Sequence, residues 1–529
     1  MSVPVIDLFA GPGGLGEGFS VVTDENDKRV FDIKLSIEKD FFAHQTLELR
    51  SFLRQFPVNQ FPEEYYRMVR ENDSYKRDQL KKEMFGLYEK EYKAARDEAW
   101  QCELGHEDFP PEVVDARIET ALKGNKNWVL IGGPPCQAYS VVGRSRNRGI
   151  SEDDTRVFLY REYLRIIARH HPKVFVMENV KGLLSAKLNG DKIFEWIKKD
   201  LRNPGRLFPG LDSPNYRIYS FVKKPTSFED TGNPKYEKDQ DYLIKSELYE
   251  IPQKRHRVIL LGVREDVEVE INQIPLGPEV TLSSVLKDLP KIRSVLGREI
   301  KEEKVIDGKK RRIYKKITDN SNNWNKYINH FKNGLKRWPQ FDEIKGLTKQ
   351  DNEIESPGNN YIPSKNTIEI NHPLFGWFYD PRLKGVIQHE SRSHLVYDLE
   401  RYYFYSIYSK IYSTFPRLKD LILFDEKLLP RHKNVNEGIF EDRFRVQLPD
   451  RPATTITSHI SKDGHYFIHY DPEQCRSLTV REAARIQTFP DNYFFCGSRT
   501  QQFHQVGNAV PPFLAYKLGY IVKNIAKNK

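Results

Sequence analysis

Cysteine is scarce in this 529-residue chain: Cys102, Cys136, Cys475 and Cys496 stand far apart, and none forms a Cys-x-x-Cys pair. That pattern excludes a disulfide framework and argues against structural zinc, so no metal is expected. A reducing cytoplasm is the expected compartment. Glycine and proline number only 31 each, too few for a collagen-like or low-complexity chain. No apolar run approaches the roughly 18 residues that cross a bilayer, and no membrane partner is expected. No basic stretch precedes the apolar residues Val3 to Phe9, so no secretory signal is read there. Charge of one sign is also limited. The 84 basic and 74 acidic residues leave +10, which permits a polyanionic partner without requiring one. At ~100–200 residues per domain, the length suggests about two to four domains.

What is present is an alternation of strands and helices. Val3 to Phe9 reads as a buried strand feeding the turn Gly11-Pro12-Gly13-Gly14, with a helix starting near Leu15. A second strand, Ile33 to Ile37, ends at Glu38. Trp128 to Ile131 runs into Gly132-Gly133-Pro134-Pro135, and Lys173 to Met177 stops at Glu178-Asn179. Helical patterns lie between them, as around Phe158 to Ile167. Strands that each end in a polar loop, separated by helices, predict a doubly wound α/β sheet.

Residues 63–109 contain no proline and are densely charged. Leu80, Met84, Leu87, Tyr88, Tyr92, Ala95 and Ala99 recur at helical spacing, predicting one face of a long amphipathic helix. This reads as a helical insertion (about 50–122) into the α/β core. From about 270 to 450 the segments become short and irregular. Lys309-Lys310-Arg311-Arg312 and Lys315-Lys316 interleave there with Tyr and Trp, a mixture that suits a solvated face or a nucleic-acid surface.

Two loops carry candidate chemistry. Glycines at 11, 13 and 14 let a ligand approach the backbone, and an acid at the end of the next strand, Glu38, is placed to bond ribose hydroxyls, implying a nucleoside cofactor. Gly132 to Pro135 rigidly shape a loop past a strand's carboxyl end. Cys136 on that loop reads as a nucleophile, with Glu178 a carboxyl group on the same rim.

These segments resemble the ordered motifs of the DNA (cytosine-5) methyltransferases. The match continues through Gln253-Lys254-Arg255-His256-Arg257, Arg451-Pro452-Ala453-Thr454-Thr455, Leu478 to Pro490, and Gln505-Val506-Gly507-Asn508-Ala509-Val510. It covers roughly residues 3–40, 128–265 and 440–525. The resemblance implies a Rossmann-like domain dependent on S-adenosylmethionine, with a second, smaller target-recognition domain. The catalytic domain would span 1–269 and be completed by 478–529, leaving 270–477 as target-recognition domain and hinge.

By the same resemblance, Cys136 matches the nucleophile and Glu178 the acid that binds cytosine. Arg257 and Arg255 match arginines that hold the base and that acid, while Gln253 shapes the loop. Phe9, Ala10, Gly11, Gly13, Gly14, Glu38, Asn508 and Val510 would surround the cofactor. A family acid that contacts adenine from beyond the third strand has no assigned counterpart here. Gln137, Ser140 and Arg144 lie on a loop resembling the one that closes over a flipped base. Together with Lys309, Lys310, Arg311 and Arg312 they are the expected DNA contacts. His465 and His469, lacking a cysteine at ligand spacing, read as structural.

The expected partner is duplex DNA, and a cognate restriction or phage-defence protein would accompany a monomeric enzyme in a prokaryotic cytoplasm, on the nucleoid when DNA-bound. Two rivals stay open. One is a tRNA cytosine-5 methyltransferase, disfavoured by the long 270–450 region. The other is a catalytically silent DNA-binding regulator, disfavoured by the intact Cys136, Glu178 and Arg257.

Overall fold

The computed structural model describes residues 2–58, 60–135, 155–188, 190–268, 270–306, 309–338, 354–417, 420–421, 428–429 and 444–527. Its first region is built on strands β1 (Val3–Leu8), β2 (Phe31–Glu38), β3 (Ala99–Gln101), β4 (Val129–Gly132), β5 (Val174–Val180), β6 (Tyr216–Ser220), β7 (Leu243–Lys245) and β8 (His256–Arg264). They form one sheet in the order β7-β8-β5-β4-β1-β2-β3, with β6 also pairing β8. From β3 to β5 the strands run parallel, and β8 is antiparallel to β5.

Parallel strands covered on both faces need apolar side chains at successive positions. In β1, Val3 and Val5 face one core and Ile6 and Leu8 the other. Val129 and Ile131 against Leu130, and Val174 and Val176 against Phe175 and Met177, repeat the alternation in β4 and β5. One face is covered by α1 (Gly14–Ser20) and by the helix Pro512–Lys527, here α10. The opposite face is covered by α6 (Pro111–Leu122) and α7 (Thr155–His170). Gly18 lets α1 and α10 meet, because a Cβ there would stand 2.5 Å from that of Ala515.

The insertion differs from the expected single long helix. It comprises α2 (Phe41–Arg54), α3 (Glu63–Arg70), α4 (Ser74–Leu87) and α5 (Glu89–Glu98), followed by β3. Tyr88 (φ −123°, ψ 52°) breaks the run, and Leu87, expected on the buried face, is 67% exposed. Phe85 is buried instead and stacks on Tyr92 with ring centroids 4.1 Å apart. Periodicity alone registered the spacing but not the fold-back of α5 against α4.

The second region contains more regular structure than its irregular sequence suggested. A hairpin joins β9 (Arg298–Ile306) to β10 (Lys309–Lys316). Helices Ser321–Leu335 and Val396–Tyr412 pack together through Trp324, Ile328, Phe331, Leu399 and Tyr403. Another core joins residues from 280–289 and 368–386 to α8 (Val480–Ile486) and α9 (Arg499–Asn508), so it contains side chains from both sides of position 477. His465 and His469 are buried in this region, and His465 bonds the Tyr402 hydroxyl at 2.6 Å. Among the described residues, no helix is long and apolar enough to cross a membrane.

Candidate active site

The polar loops converge at the carboxyl ends of β1, β2, β4 and β5, where open α/β sheets bind ligands. After β1 the chain turns through positive φ at Phe9 (57°), Gly11 (58°) and Gly13 (97°). Glycine accepts this conformation freely, whereas at Phe9 it costs about 1–2 kcal/mol. The Phe9 ring remains half-buried against the core. Ala10 is buried and its amide donates to the Ile37 carbonyl at 3.0 Å, stitching the turn to β2.

Glu38 closes the other side. One carboxylate oxygen accepts from the Gly11 amide at 2.8 Å and the other from the Asp40 amide at 2.7 Å. Burial pushes its pKa upward, and those two amides oppose the shift. A Cβ built on Gly11 meets nothing within 4 Å, so open space lies against the backbone there. One built on Gly14 would collide with the Val510 carbonyl oxygen, so the segment after α9 crosses directly beside the turn. Val510 is buried there, and Asn508 ends α9 with its side chain exposed. A carboxylate acceptor, a half-buried aromatic ring and an open glycine backbone fit the nucleoside methyl donor expected from the sequence.

Gly132 and Gly133 permit a second close approach. A Cβ on Gly132 would lie 2.6 Å from the Leu8 carbonyl oxygen, and one on Gly133 would lie 2.9 Å from Glu178 Oε2. The loop leading to Cys136 therefore passes against the Glu178 carboxylate. Cys136, Gln137, Ser140 and Arg144 themselves lie outside the described residues.

Glu178 on β5 is paired with Ile259 of β8, and Val180 with Arg257. This register brings Arg257 Nε to 2.8 Å from Glu178 Oε1, with both side chains about one-sixth exposed (17% and 15%). The pair is shielded enough to hold its geometry and open enough to meet a ligand. Arg257 also donates from Nη1 to the His256 carbonyl at 2.9 Å.

Arg255 takes a different direction from Arg257. It is 2% exposed, and its Nη1 donates to the carbonyls of Ile456 (2.8 Å) and Gly507 (3.1 Å). Burial, reinforced by the field of Arg257, depresses its pKa well below the usual range, and Glu178 opposes the shift. Gln253 works beside it, accepting from the Ile456 amide at 3.0 Å and donating to the Ile486 carbonyl at 3.0 Å. The two side chains pin the Arg451–Ile456 segment and the end of α9 to the base of the site.

Two groups escaped the sequence reading. β3, only three residues long and embedded in a charged run, brings Glu103 to 2.8 Å from Lys39, next to Glu38. The only local signal is the short pair Ala99-Trp100 at the end of a charged run, five residues before Gly105. Tyr493, one of 28 tyrosines, donates its hydroxyl hydrogen bond to the Pro12 carbonyl inside the glycine turn.

The four expected basic contacts at 309–312 fall on β10 of a hairpin whose strands, among the described residues, pair only with each other. Arg311 and Arg312 are exposed, and Arg312 Nε sits 3.0 Å from Glu303 Oε1. From 298 to 316 the chain has nine basic and four acidic side chains.

The family model described as C-5 cytosine-specific DNA methylase matches residues 110–207 and 219–524. The Type II methyltransferase M.Bpa9945I of Bacillus paralicheniformis is 31% identical over 537 aligned residues, covering 98% of each chain. The DNA (cytosine-5-)-methyltransferase M.ApeKI of Aeropyrum pernix is 26% identical over 75% of this chain and 81% of that protein. In fold, the chain resembles the crystal structure of an Escherichia coli prophage-encoded putative DNA modification methyltransferase, with TM-score 0.50 and 19% identity over the whole of both chains.

Proposed function

This chain belongs to the C-5 cytosine-specific DNA methylases, and from that membership we propose how its own residues divide the work of the reaction. It is a DNA (cytosine-5-)-methyltransferase, and its methyl donor is S-adenosylmethionine. The observation that carries the residue-level reading is the Arg257–Glu178 pair, seated against Gly133 one strand away from the Glu38 turn.

Cytosine C5 is a poor nucleophile until its ring is activated. In the proposed sequence the Cys136 thiolate adds to C6, and the displaced ring electrons make C5 nucleophilic. S-adenosylmethionine supplies the electrophilic methyl group carried on a sulfonium. As the C5–methyl bond forms, the donor's methyl–sulfur bond breaks to leave a neutral thioether; the C5 proton then passes to water, and the C5–H electron pair expels the Cys136 sulfur from C6. Glu178 binds the N3 edge and exocyclic amine of the base, and Arg257 holds that carboxylate in place. Arg255 acts as a positioning residue through the Ile456 and Gly507 carbonyls. Phe9, Ala10, Gly11, Gly13, Gly14, Glu38, Asn508 and Val510 border the donor, with Glu103 supplying the acid beyond the third strand.

The base is reached by flipping, at a cost of a few kcal/mol. Gln137, Ser140 and Arg144 would close over it, and residues 270–477 would read the flanking sequence. We assign the enzyme to restriction-modification or a related phage defence, acting as a monomer in the cytoplasm with a cognate nuclease as partner. The test is transfer of labelled methyl from S-adenosylmethionine to unmethylated duplex DNA and to tRNA in parallel, followed by sequencing of 5-methylcytosine. Label at one recurrent DNA motif is the expected result, and label on tRNA alone would overturn the substrate.

Two variants test the binding surfaces. Glu38→Ala should weaken S-adenosylmethionine binding about tenfold or more in calorimetry, because it removes a charged acceptor and the anchor it gives the Gly11 amide of the turn. Since the Glu38 pKa is raised, wild-type affinity should fall on acidification at a pH above the ordinary carboxylate range, and Glu38→Gln should lack that fall. Unchanged affinity in both variants would place the cofactor elsewhere. Neutralising Lys309, Lys310, Arg311 and Arg312 should reduce the salt slope of DNA binding by about 0.9 for each phosphate that the hairpin ceases to neutralise. An unaltered slope would make the β9–β10 hairpin an ordinary solvated surface.

A further inference from the structure

We infer that Tyr493 is a positioning residue for the cofactor turn, and that a buried polar relay through Asn492 ties this turn to the α3 insertion and the second region. The inference rests on the reading of the glycine turn as the methyl-donor site. Tyr493 is wholly buried, and its hydroxyl donates to the Pro12 carbonyl between Gly11 and Gly13. A Cβ on Gly13 would lie 3.2 Å from the same hydroxyl, so the turn rests directly on this side chain. With Gly11 and Gly13 both at positive φ, the turn is held by few side chains of its own. An external donor can therefore select one conformation from those glycine permits.

The neighbouring residue extends the support outward. Asn492 Nδ2 donates to Asp380 Oδ2 at 2.7 Å, and that oxygen also accepts from the Tyr66 hydroxyl of α3 at 2.7 Å. The Asn492 carbonyl accepts from the Tyr65 hydroxyl, and its Oδ1 accepts from Arg50 Nη1 at 3.3 Å. Arg50 in turn grips Glu17 of α1 through two bonds, at 2.5 and 2.9 Å. Its guanidinium lies 4.7 Å from the Tyr493 ring and 5.1 Å from that of Phe61. The relay therefore reaches the turn twice, through Tyr493 at Pro12 and through Arg50 at the helix that follows. Buried hydrogen-bonded networks of this kind favour one arrangement, because each member left unpaired is costly.

Such an arrangement lets the second region influence cofactor affinity without touching the cofactor. Calorimetry with S-adenosylmethionine, DNA binding without it, and thermal melting of the full chain test the inference. Tyr493→Phe removes one hydroxyl and should weaken S-adenosylmethionine binding about three- to tenfold. DNA affinity should stay within twofold, with the melting temperature within about 3 °C of wild type. A merely structural role would lower the melting temperature and leave the folded protein's affinity unaltered. Asn492→Ala cuts the links to Asp380 and Arg50, leaves Tyr493 in place, and should weaken the cofactor at least twofold. Wild-type affinity in Tyr493→Phe overturns the positioning role, and wild-type affinity in Asn492→Ala overturns the relay. If Tyr493→Phe does not fold, Asn492→Ala alone decides. Failure of the wild-type chain to bind S-adenosylmethionine would instead count against the cofactor site itself.

Discussion

A Cys136→Ser protein is expected to bind duplex DNA and S-adenosylmethionine normally while losing methyl transfer by at least ~10⁴-fold, the scale on which removing a catalytic nucleophile acts. The reason is electronic. A thiol near its ordinary pKa supplies some thiolate at neutral pH, and basic neighbours increase that fraction; a serine hydroxyl supplies almost no alkoxide. Addition to C6 would then lack a nucleophile, although every binding surface remained. Duplex carrying 5-fluorocytosine gives an independent readout. Its C5 substituent cannot leave as a proton, so the wild-type chain should stay cross-linked to it and the serine variant should not. Transfer within tenfold of wild type would remove Cys136 from the chemistry.

The second large effect concerns Glu178, the carboxylate proposed to receive the base. Arg257→Ala should lower kcat by about 10²–10³ while leaving S-adenosylmethionine affinity unchanged, comparable to loss of a preorganised charged contact in an active site. The Glu178 carboxylate would lose its 2.8 Å partner and its fixed direction beside Gly133. Arg257→Lys should recover only part of the loss, since an ammonium cannot reproduce the planar guanidinium that reaches Oε1 through Nε while bonding the His256 carbonyl through Nη1. Glu178→Gln should be similarly slow. A lysine variant at full activity would mean that Arg257 contributes charge alone. An alanine variant at full activity would dismiss the pair.

How far these residues were legible depended on whether their signal was local. The turn after β1, Glu38 and Glu178 each follow an apolar run directly, so the position where the run ends also marks the group, although Glu38 and Glu178 themselves still belong to β2 and β5. Observed strands Val3–Leu8, Phe31–Glu38, Val129–Gly132 and Val174–Val180 follow the predicted ones closely for that reason. β3 was hidden because three residues at a sheet edge cannot establish a period, and charged helices surround them. Arg255 and Arg257 are separated by two positions, which in a continuous strand places them on one face. Here Gln253–Lys254 pairs with a different partner, Ala453–Thr454, before β8 begins. That break at Arg255 directs its side chain inward. Tyr493 had no local signal because its partner, Pro12, lies 481 positions away.

Helix α10 has a further consequence during synthesis. It covers the sheet face formed by Val3, Val5, Val129 and Val174, yet is translated after every strand of that sheet. Lys523 bonds the Thr23 carbonyl across 500 positions of sequence. Until that helix leaves the ribosome, the nascent sheet has only α1, of its two covering helices, over this apolar face, a feature that invites chaperone holding and slows completion of the fold. Chains interrupted before residue 509 would lack both this cover and the Ala509–Val510 segment beside Gly14. Translation products cut short of α10 are consequently expected to be insoluble and inactive rather than partially competent, so the cell would obtain modification only from chains that include it.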